Sequence, residues 1–236
     1  MDTVRANPMH TGEMTMYLIR HCETGGNAGG RFQGRSDTDI SKTGQHQLEQ
    51  LRRRFAPVPL DAVYSSPLLR ARRTAEAVKG EKAIPLYIDD RLIEIDGGDW
   101  EDRPWDEFPG KFPQESADWV NRPGRFVAPH GEAMAAVYAR MSQALREIAA
   151  KHPGGCVAVV SHGCAVRNAL CFAKGLPLDR LQEVGWCDNT GVCELRWEIP
   201  ANGTAAVRAV VRENDVSHLD APPSVREKHA WWKGDR

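Results

Sequence analysis

The chain of 236 residues is long enough to bury one substantial core and exceeds the usual single-domain size only modestly, so one domain carrying an insertion is expected. Its 31 lysines and arginines balance 32 aspartates and glutamates, a balance that argues against nucleic acid or an anionic membrane as partner and for a small molecule. The six cysteines (Cys22, Cys156, Cys164, Cys171, Cys187 and Cys193) lack the close pairs of a zinc ribbon and are sparse for a disulfide scaffold. No apolar stretch reaches the roughly 20 residues that span a bilayer, and the start has no apolar signal core, so a cytoplasmic setting is expected.

Residues 14–219 read as one domain, with 1–13 and 220–236 as tails. Short apolar runs alternate with helical periodicity, the pattern of an α/β fold: a three-layer α/β/α sandwich with a mostly parallel central sheet and a small inserted cap. Strands are expected near 14–19, 61–64, 84–88, 156–160, 190–197 and 205–212. After the first strand, Ser41 can cap a helix whose Leu48, Leu51 and Phe55 recur at helical spacing. Ser66-Pro67 reads as an N-cap with proline at the first helical position, and Leu68, Ala71, Ala75 and Val78 mark the inner face that follows. Arg70 then lies in or near the first turn.

Residues 99–130 carry five prolines and the aromatics Trp100, Trp105, Phe108, Phe112, Trp119 and Phe126. A structureless loop of that length is unusual in a compact domain, so the segment reads as a small insertion packed by its own aromatics and able to cover a site. A third helix is expected from about 132 to 151, with Met134, Val137, Met141, Leu145 and Ile148 inward and Gly154-Gly155 ending it. A fourth begins near Gly163 and stops around Gly175-Leu176-Pro177.

Two strands end alike, on Arg20-His21 and on Ser161-His162, and each is followed by glycine-containing sequence. Ligands in open α/β sheets bind beyond the carboxyl ends of the strands, so both histidines are expected to face one crevice, joined by Arg70. Two arginines, backbone N–H groups and helix N-termini favour an anion with several oxygens, and phosphate is the natural candidate.

Three chemistries compete for such a site. A cysteine phosphatase needs an arginine six residues after the thiolate, and that position after Cys22 is Ala28. A metal phosphatase needs clustered carboxylates and histidines, whereas these histidines stand beside Arg20 and Arg70, which repel a metal. Covalent catalysis by a neutral imidazole, with arginines neutralising the transferring oxygens, uses every piece and requires neither metal nor cofactor.

The same residues resemble the histidine phosphatase superfamily, in the branch that includes cofactor-dependent phosphoglycerate mutase and many small-molecule phosphatases. The resemblance runs from about Met16 to Leu219 through Arg20-His21 with Glu23, Thr24 and Asn27, then Gln33-Gly34, Asp39 and Gly44. It continues in SSPLLRARRTAEAV, RLIEIDGGDWED, HGEAM, VVSHG and NDVSHL. It implies that His21 is the nucleophile that forms a phosphohistidine. It further implies that Arg20, Asn27, Arg70, His162 and Gly163 hold the phosphate, with His162 also in the catalytic set, and that Glu94 is the proton donor. An alkoxide leaving group needs such a donor, because it must be protonated as it departs. Covering by a cap and a bound phosphate raise the Glu94 pKa, while Arg20 and Arg70 pull it down.

The chain departs from the family pattern at four places. Cys22 stands where glycine is usual, Gly25-Gly26 replaces a stretch that often holds tryptophan, Asp102 replaces the glycine after Trp-Glu, and Ala133 replaces the serine after Gly-Glu. Cys22 reads as a tolerated small side chain, the alternative being a thiol whose oxidation blocks the pocket. The insertion is shorter and more acidic than the basic closing segment that the resemblance implies for a mutase. Metal-independent hydrolysis of a small phosphomonoester is therefore expected. Mutase-type phosphoryl transfer and non-catalytic binding of a phosphate ligand are the alternatives.

Overall fold

The computed structural model describes residues 12–201 and 204–220. In chain order these form β1 (Gly12–Arg20), α1 (Gly25–Ala28), α2 (Lys42–Phe55), β2 (Ala62–Ser65), α3 (Leu69–Lys79) and β3 (Leu86–Ile88). There follow α4 (Phe108–Lys111), α5 (Pro113–Asn121), α6 (Met134–Lys151), β4 (Cys156–Ser161), α7 (Gly163–Ala173), β5 (Val192–Ile199) and β6 (Ala206–Asp215).

The six strands form one sheet in the order β3-β2-β4-β1-β5-β6. β1, β2, β3 and β4 run parallel, and β5 is antiparallel to both β1 and β6. Period-two alternation in the central strands builds two separate cores. Met16, Leu18, Val157 and Val159 point to one face, where α6 and α7 supply Met141, Leu145, Val166 and Ala169. Ile19, Val63, Ala158 and Val160 point to the other, against Leu51 and Phe55 of α2 and Ala71, Ala75 and Val78 of α3. The expected three-layer sandwich is what forms.

Local signals explain most boundaries, and three expectations need correction. The first strand begins at Gly12 rather than 14, because Gly12 and Glu13 already pair with Ile199 and Glu198 of β5; residues 1–11 and 221–236 of the expected tails lie outside the described residues. Ser66 is not an N-cap: α3 starts at Leu69, its cap position is Leu68, and that cap has no side-chain bond. The Ser66 hydroxyl is drawn instead to His162, and Leu68 is left half-buried. The third helix starts at Met134 rather than 132, because Glu132 is held by Arg140 through two hydrogen bonds of 2.8 and 3.0 Å.

The insertion is built from short 3-10 turns, α4 and α5 around stacked aromatics. Trp100 and Phe108 lie face to face, with centroids 4.1 Å apart and planes at 12°. Trp100, Phe108, Trp119 and Phe126 are buried in the same apolar cluster as α6 and α7, so the cap is an outgrowth of one core rather than a second one.

The cap residue of α6 is Ala133, in extended backbone geometry and with no side chain able to bond the free N–H groups of the first turn. Ala133→Ser should therefore stabilise the protein by about 1 kcal/mol in urea unfolding, without changing the slope of the transition.

Candidate active site

Parallel pairing places Arg20 opposite Ser161, and the His21 N–H donates to the Ser161 carbonyl at 2.9 Å. The next residues along both strands, His21 and His162, consequently lie side by side with ring centroids 5.1 Å apart. The loop after β1 is pinned group by group. The Cys22 N–H donates to Thr74 Oγ1 at 3.0 Å, and the Glu23 N–H to Gln47 Oε1 at 2.8 Å. Thr24 and Asn27 close a reciprocal capping box on α1. Gly44 lets α2 approach this loop, since a Cβ there would stand 2.1 Å from the Glu23 carbonyl oxygen.

His21 is held in one tautomer. Its Nδ1 lies 2.6 Å from the Cys22 carbonyl, which can only accept, so Nδ1 carries the proton and Nε2 keeps a lone pair. Arg70 Nε donates to that Nε2 at 3.3 Å. The fully buried Arg70 also donates to the carbonyls of Ser36 at 2.7 Å and Gly34 at 2.6 Å. Arg20 donates through Nη1 to the Cys187 carbonyl at 2.6 Å, and its buried Nε has no partner among the described residues. His162 bonds Ser66 Oγ through Nε2 at 2.7 Å and leaves Nδ1 unpartnered among the described residues.

Burial, then Arg70 and Arg20, hold the His21 imidazole well below the usual histidine range, and burial, then Arg70 and His21, do the same to His162. Both rings are neutral near pH 7. Glu94 Oε1 accepts the N–H groups of Ile95 at 2.9 Å and Ala165 at 3.0 Å, and Oε2 accepts that of Cys164 at 2.9 Å. Burial nonetheless raises its pKa against the pull of those N–H groups and of Arg70. With Oε1 already accepting two bonds, a proton on this carboxyl belongs on Oε2.

A cavity of about 110 Å³ opens over this cluster, lined at its base by Arg20, His21, Asn27, Glu94 and Gly163. Arg70 and His162, each fully buried, adjoin His21, the first through its Nε hydrogen bond and the second ring to ring. An imidazole lone pair between two buried guanidiniums suits nucleophilic attack on a phosphoryl group. Residues 16–208 match the family model described as histidine phosphatase superfamily (branch 1). The chain belongs to this superfamily.

Among curated relatives it is 34% identical to phosphoserine phosphatase 1 of Hydrogenobacter thermophilus, over 86% of this chain and 93% of that one. It is 33% identical to the probable phosphoglycerate mutase GpmB of Cronobacter sakazakii, over 89% and 96%. Among solved structures, Bacillus stearothermophilus YhfR superposes with a TM-score of 0.79 at 34% identity, covering 87% of this chain and 98% of that one.

All seven site residues expected of this histidine phosphatase converge. Four that sequence reasoning passed over support them. Ser66 was assigned to a helix cap. Asn189 donates to the His21 carbonyl at 3.0 Å and to Asn27 Oδ1 at 3.3 Å. Thr190, at φ +58, donates its N–H to the carbonyls of Arg20 and His21 at 3.1 and 3.2 Å. Arg140 donates to the carbonyls of Arg91 and Ile93, fixing the turn that carries Glu94. Asn189 and Thr190 follow no helical or strand period, and only their tertiary contacts reveal them. Cys22 is buried, its thiol is pushed up to about 11 by burial, and it lies outside the cavity lining. That is a packing residue rather than a reactive thiolate.

The buried neutral histidines set an acid sensitivity. Unfolded histidines take up protons as pH falls through about 6.5, while folded His21 and His162 resist, so stability is full above that value and lost below it. Glu94, with its folded pKa raised, acts in the opposite sense. The unfolding free energy from urea titration should therefore fall from pH 7.5 to 5.5, by up to about 1.4 kcal/mol per pH unit for each histidine, and more steeply in Glu94→Gln.

Proposed function

We propose that this chain is a phosphoric monoester hydrolase acting on small phosphorylated molecules through a phosphohistidine at His21, without a metal ion. The observation that carries the reading is the His21 ring, whose Nδ1 proton is fixed on the Cys22 carbonyl so that the Nε2 lone pair meets Arg70 at the buried end of the cavity.

In the first step His21 Nε2 attacks phosphorus and the bond to the ester oxygen breaks. Arg70 Nε keeps its proton and redirects its hydrogen bond from the lone pair to a phosphoryl oxygen. Arg20 Nε, His162 Nδ1, the Asn27 amide and the Gly163 N–H at the start of α7 bind the other oxygens. Glu94 Oε2 gives its proton to the leaving alkoxide. In the second step a water attacks phosphorus, Glu94 takes up its proton, the N–P bond breaks and phosphate departs. Ser66 and Asn189 are positioning residues for His162 and for His21 with Asn27.

Two features favour release to water over transfer to a second phosphate site. Three of the cap's four lysines and arginines pair with its own acids, Lys111 and Arg103 with Glu107 and Arg122 with Asp118, at 2.5, 3.7 and 2.6 Å. Among the described residues, the cap presents Trp105 and Trp119 to the cavity and no lysine or arginine. The relatives named above include both a phosphatase and a probable mutase, and the cap composition is what separates the two readings here. The six cysteines are all unbridged, which fits a reducing, cytoplasmic setting. No helix among the described residues is long and apolar enough to cross a membrane.

With chelator present, wild type should release phosphate from alkyl and aryl phosphates while His21→Ala falls to background. Loss of activity on chelation, or full activity in the variant, would overturn the mechanism. A pH profile should show kcat/KM falling as pH rises through the raised pKa of Glu94. In kcat/KM, which reports the first step alone, Glu94→Gln should lose about 100-fold or more on alkyl esters but little on 4-nitrophenyl phosphate, whose leaving group needs no proton, while kcat falls on both because the attacking water loses its base. Conversion of 3-phosphoglycerate to its 2-isomer without free phosphate would instead establish the mutase.

A further inference from the structure

Beyond its phosphate end the cavity is walled by Phe32, Trp105, Trp119 and Trp186. The rings form a continuous surface. Centroids of Phe32 and Trp105 are 5.0 Å apart, those of Trp105 and Trp119 5.8 Å, and those of Trp119 and Trp186 5.7 Å with planes at 31°. Trp186 is braced from behind by Arg167, whose guanidinium carbon sits 4.7 Å from the ring centroid. Arg167 is itself locked to the carbonyls of Val184 and Leu181 at 2.8 and 3.0 Å. Such a wall offers area and ring faces, and no ionic partner.

The remaining polar groups of the lining are already engaged. Gln33 accepts from the Thr24 hydroxyl and donates to the Thr38 hydroxyl, so both ends of its amide are committed. Among the described residues, Glu94 is the one carboxylate lining the cavity, and it is held by three backbone N–H groups. A substrate ammonium therefore meets no free counter-ion. Arg31, at the mouth, is the one cation of the lining outside the phosphate end among the described residues. Its Nη1 donates to the Asp102 carbonyl and lies 3.8 Å from the Asp102 carboxylate. Asp102 sits at φ +55, a left-handed conformation that favours glycine, and it adds a negative charge against Arg31. A second acidic group on the substrate meets a cation that already has a carboxylate beside it.

Resting on the phosphatase reading above, we infer that the cavity selects phosphomonoesters whose alcohol bears an aromatic ring and no second ionised group. The ring lies against the Trp119 and Trp186 faces while the phosphate reaches His21. Asp102 and Trp186 are the specificity-determining residues.

The test compares kcat/KM for 2-phenylethyl phosphate, glycerol phosphate, 3-phosphoglycerate and phosphoserine, all alkyl esters, so that leaving-group basicity does not sort them. 2-Phenylethyl phosphate should exceed each of the others by about tenfold or more. Trp186→Ala should reduce its advantage over glycerol phosphate by about tenfold, mainly through KM. Asp102→Asn keeps the backbone acceptor and tolerates positive φ, and it should raise the ratio of 3-phosphoglycerate to 2-phenylethyl phosphate by about threefold to fivefold. Preference for phosphoserine or 3-phosphoglycerate, or ratios unmoved in either variant, would overturn the inference while leaving the phosphatase intact. The underlying reading fails differently: no ester releases phosphate and radiolabelled substrate leaves no label on His21, which overturns both.

Discussion

Everything at the active site depends on the register of β1 against β4. Pairing Arg20 with Ser161 in a parallel ladder brings two strand ends to the same level, and the residues that follow emerge as neighbours. A slip of one residue would turn Leu18 and Val159 out of one core and Ile19 and Val160 out of the other, so the two apolar faces enforce the register that the chemistry needs. Catalytic geometry is thus a by-product of core packing. The central position of β1, paired on both edges, further restrains the backbone from which His21 departs.

That position is electrostatically demanding. Arg70 is fully buried, and Arg20 is enclosed beside it, within one crevice that also holds two neutral imidazoles and a carboxyl. Burying cations without partners is strongly unfavourable, and the fold offsets this with main-chain dipoles rather than with close carboxylates. The carbonyls of Gly34, Ser36 and Cys187 accept from the guanidiniums, while Asp37 lies 3.7 Å from Arg70 at the solvent side. Carbonyl partners leave the positive charge of both guanidiniums uncancelled, as the phosphate-binding role proposed for them requires, where a tight carboxylate would have quenched it.

The cap follows a different rule. Its aromatics are continuous with the main core, and the rings that fill its interior also form the cavity wall through Phe32, Trp105 and Trp119. Packing and substrate contact are therefore carried by one cluster. A rigid wall of this kind costs little side-chain entropy when a ligand settles on it, because the rings are already immobilised by one another.

The fold class and the four long helices were legible in the sequence, and so was the set of seven residues that the structure brings together. Period-two and period-3.6 patterns report burial directly, and Arg20-His21, Arg70 and Ser161-His162 stand at element ends that those patterns delimit, whereas Asn27 and Glu94 were legible only through the family resemblance. The sequence could not assign Ser66, whose Ser-Pro dipeptide has the same local chemistry at a helix cap as beside a histidine. Nor could it reveal Asn189, Thr190 and Arg140, because a residue in a loop is defined by partners far along the chain. The sign of the Glu94 shift was equally out of reach, since burial and the pull of N–H groups and Arg70 oppose each other and their balance depends on distances. Cys22 shows the same division. Its place beside His21 was legible, whereas the packing of its thiol into the interior emerges only from the folded chain, because side-chain direction there is set by Thr74 on α3 and by the carbonyl that fixes His21.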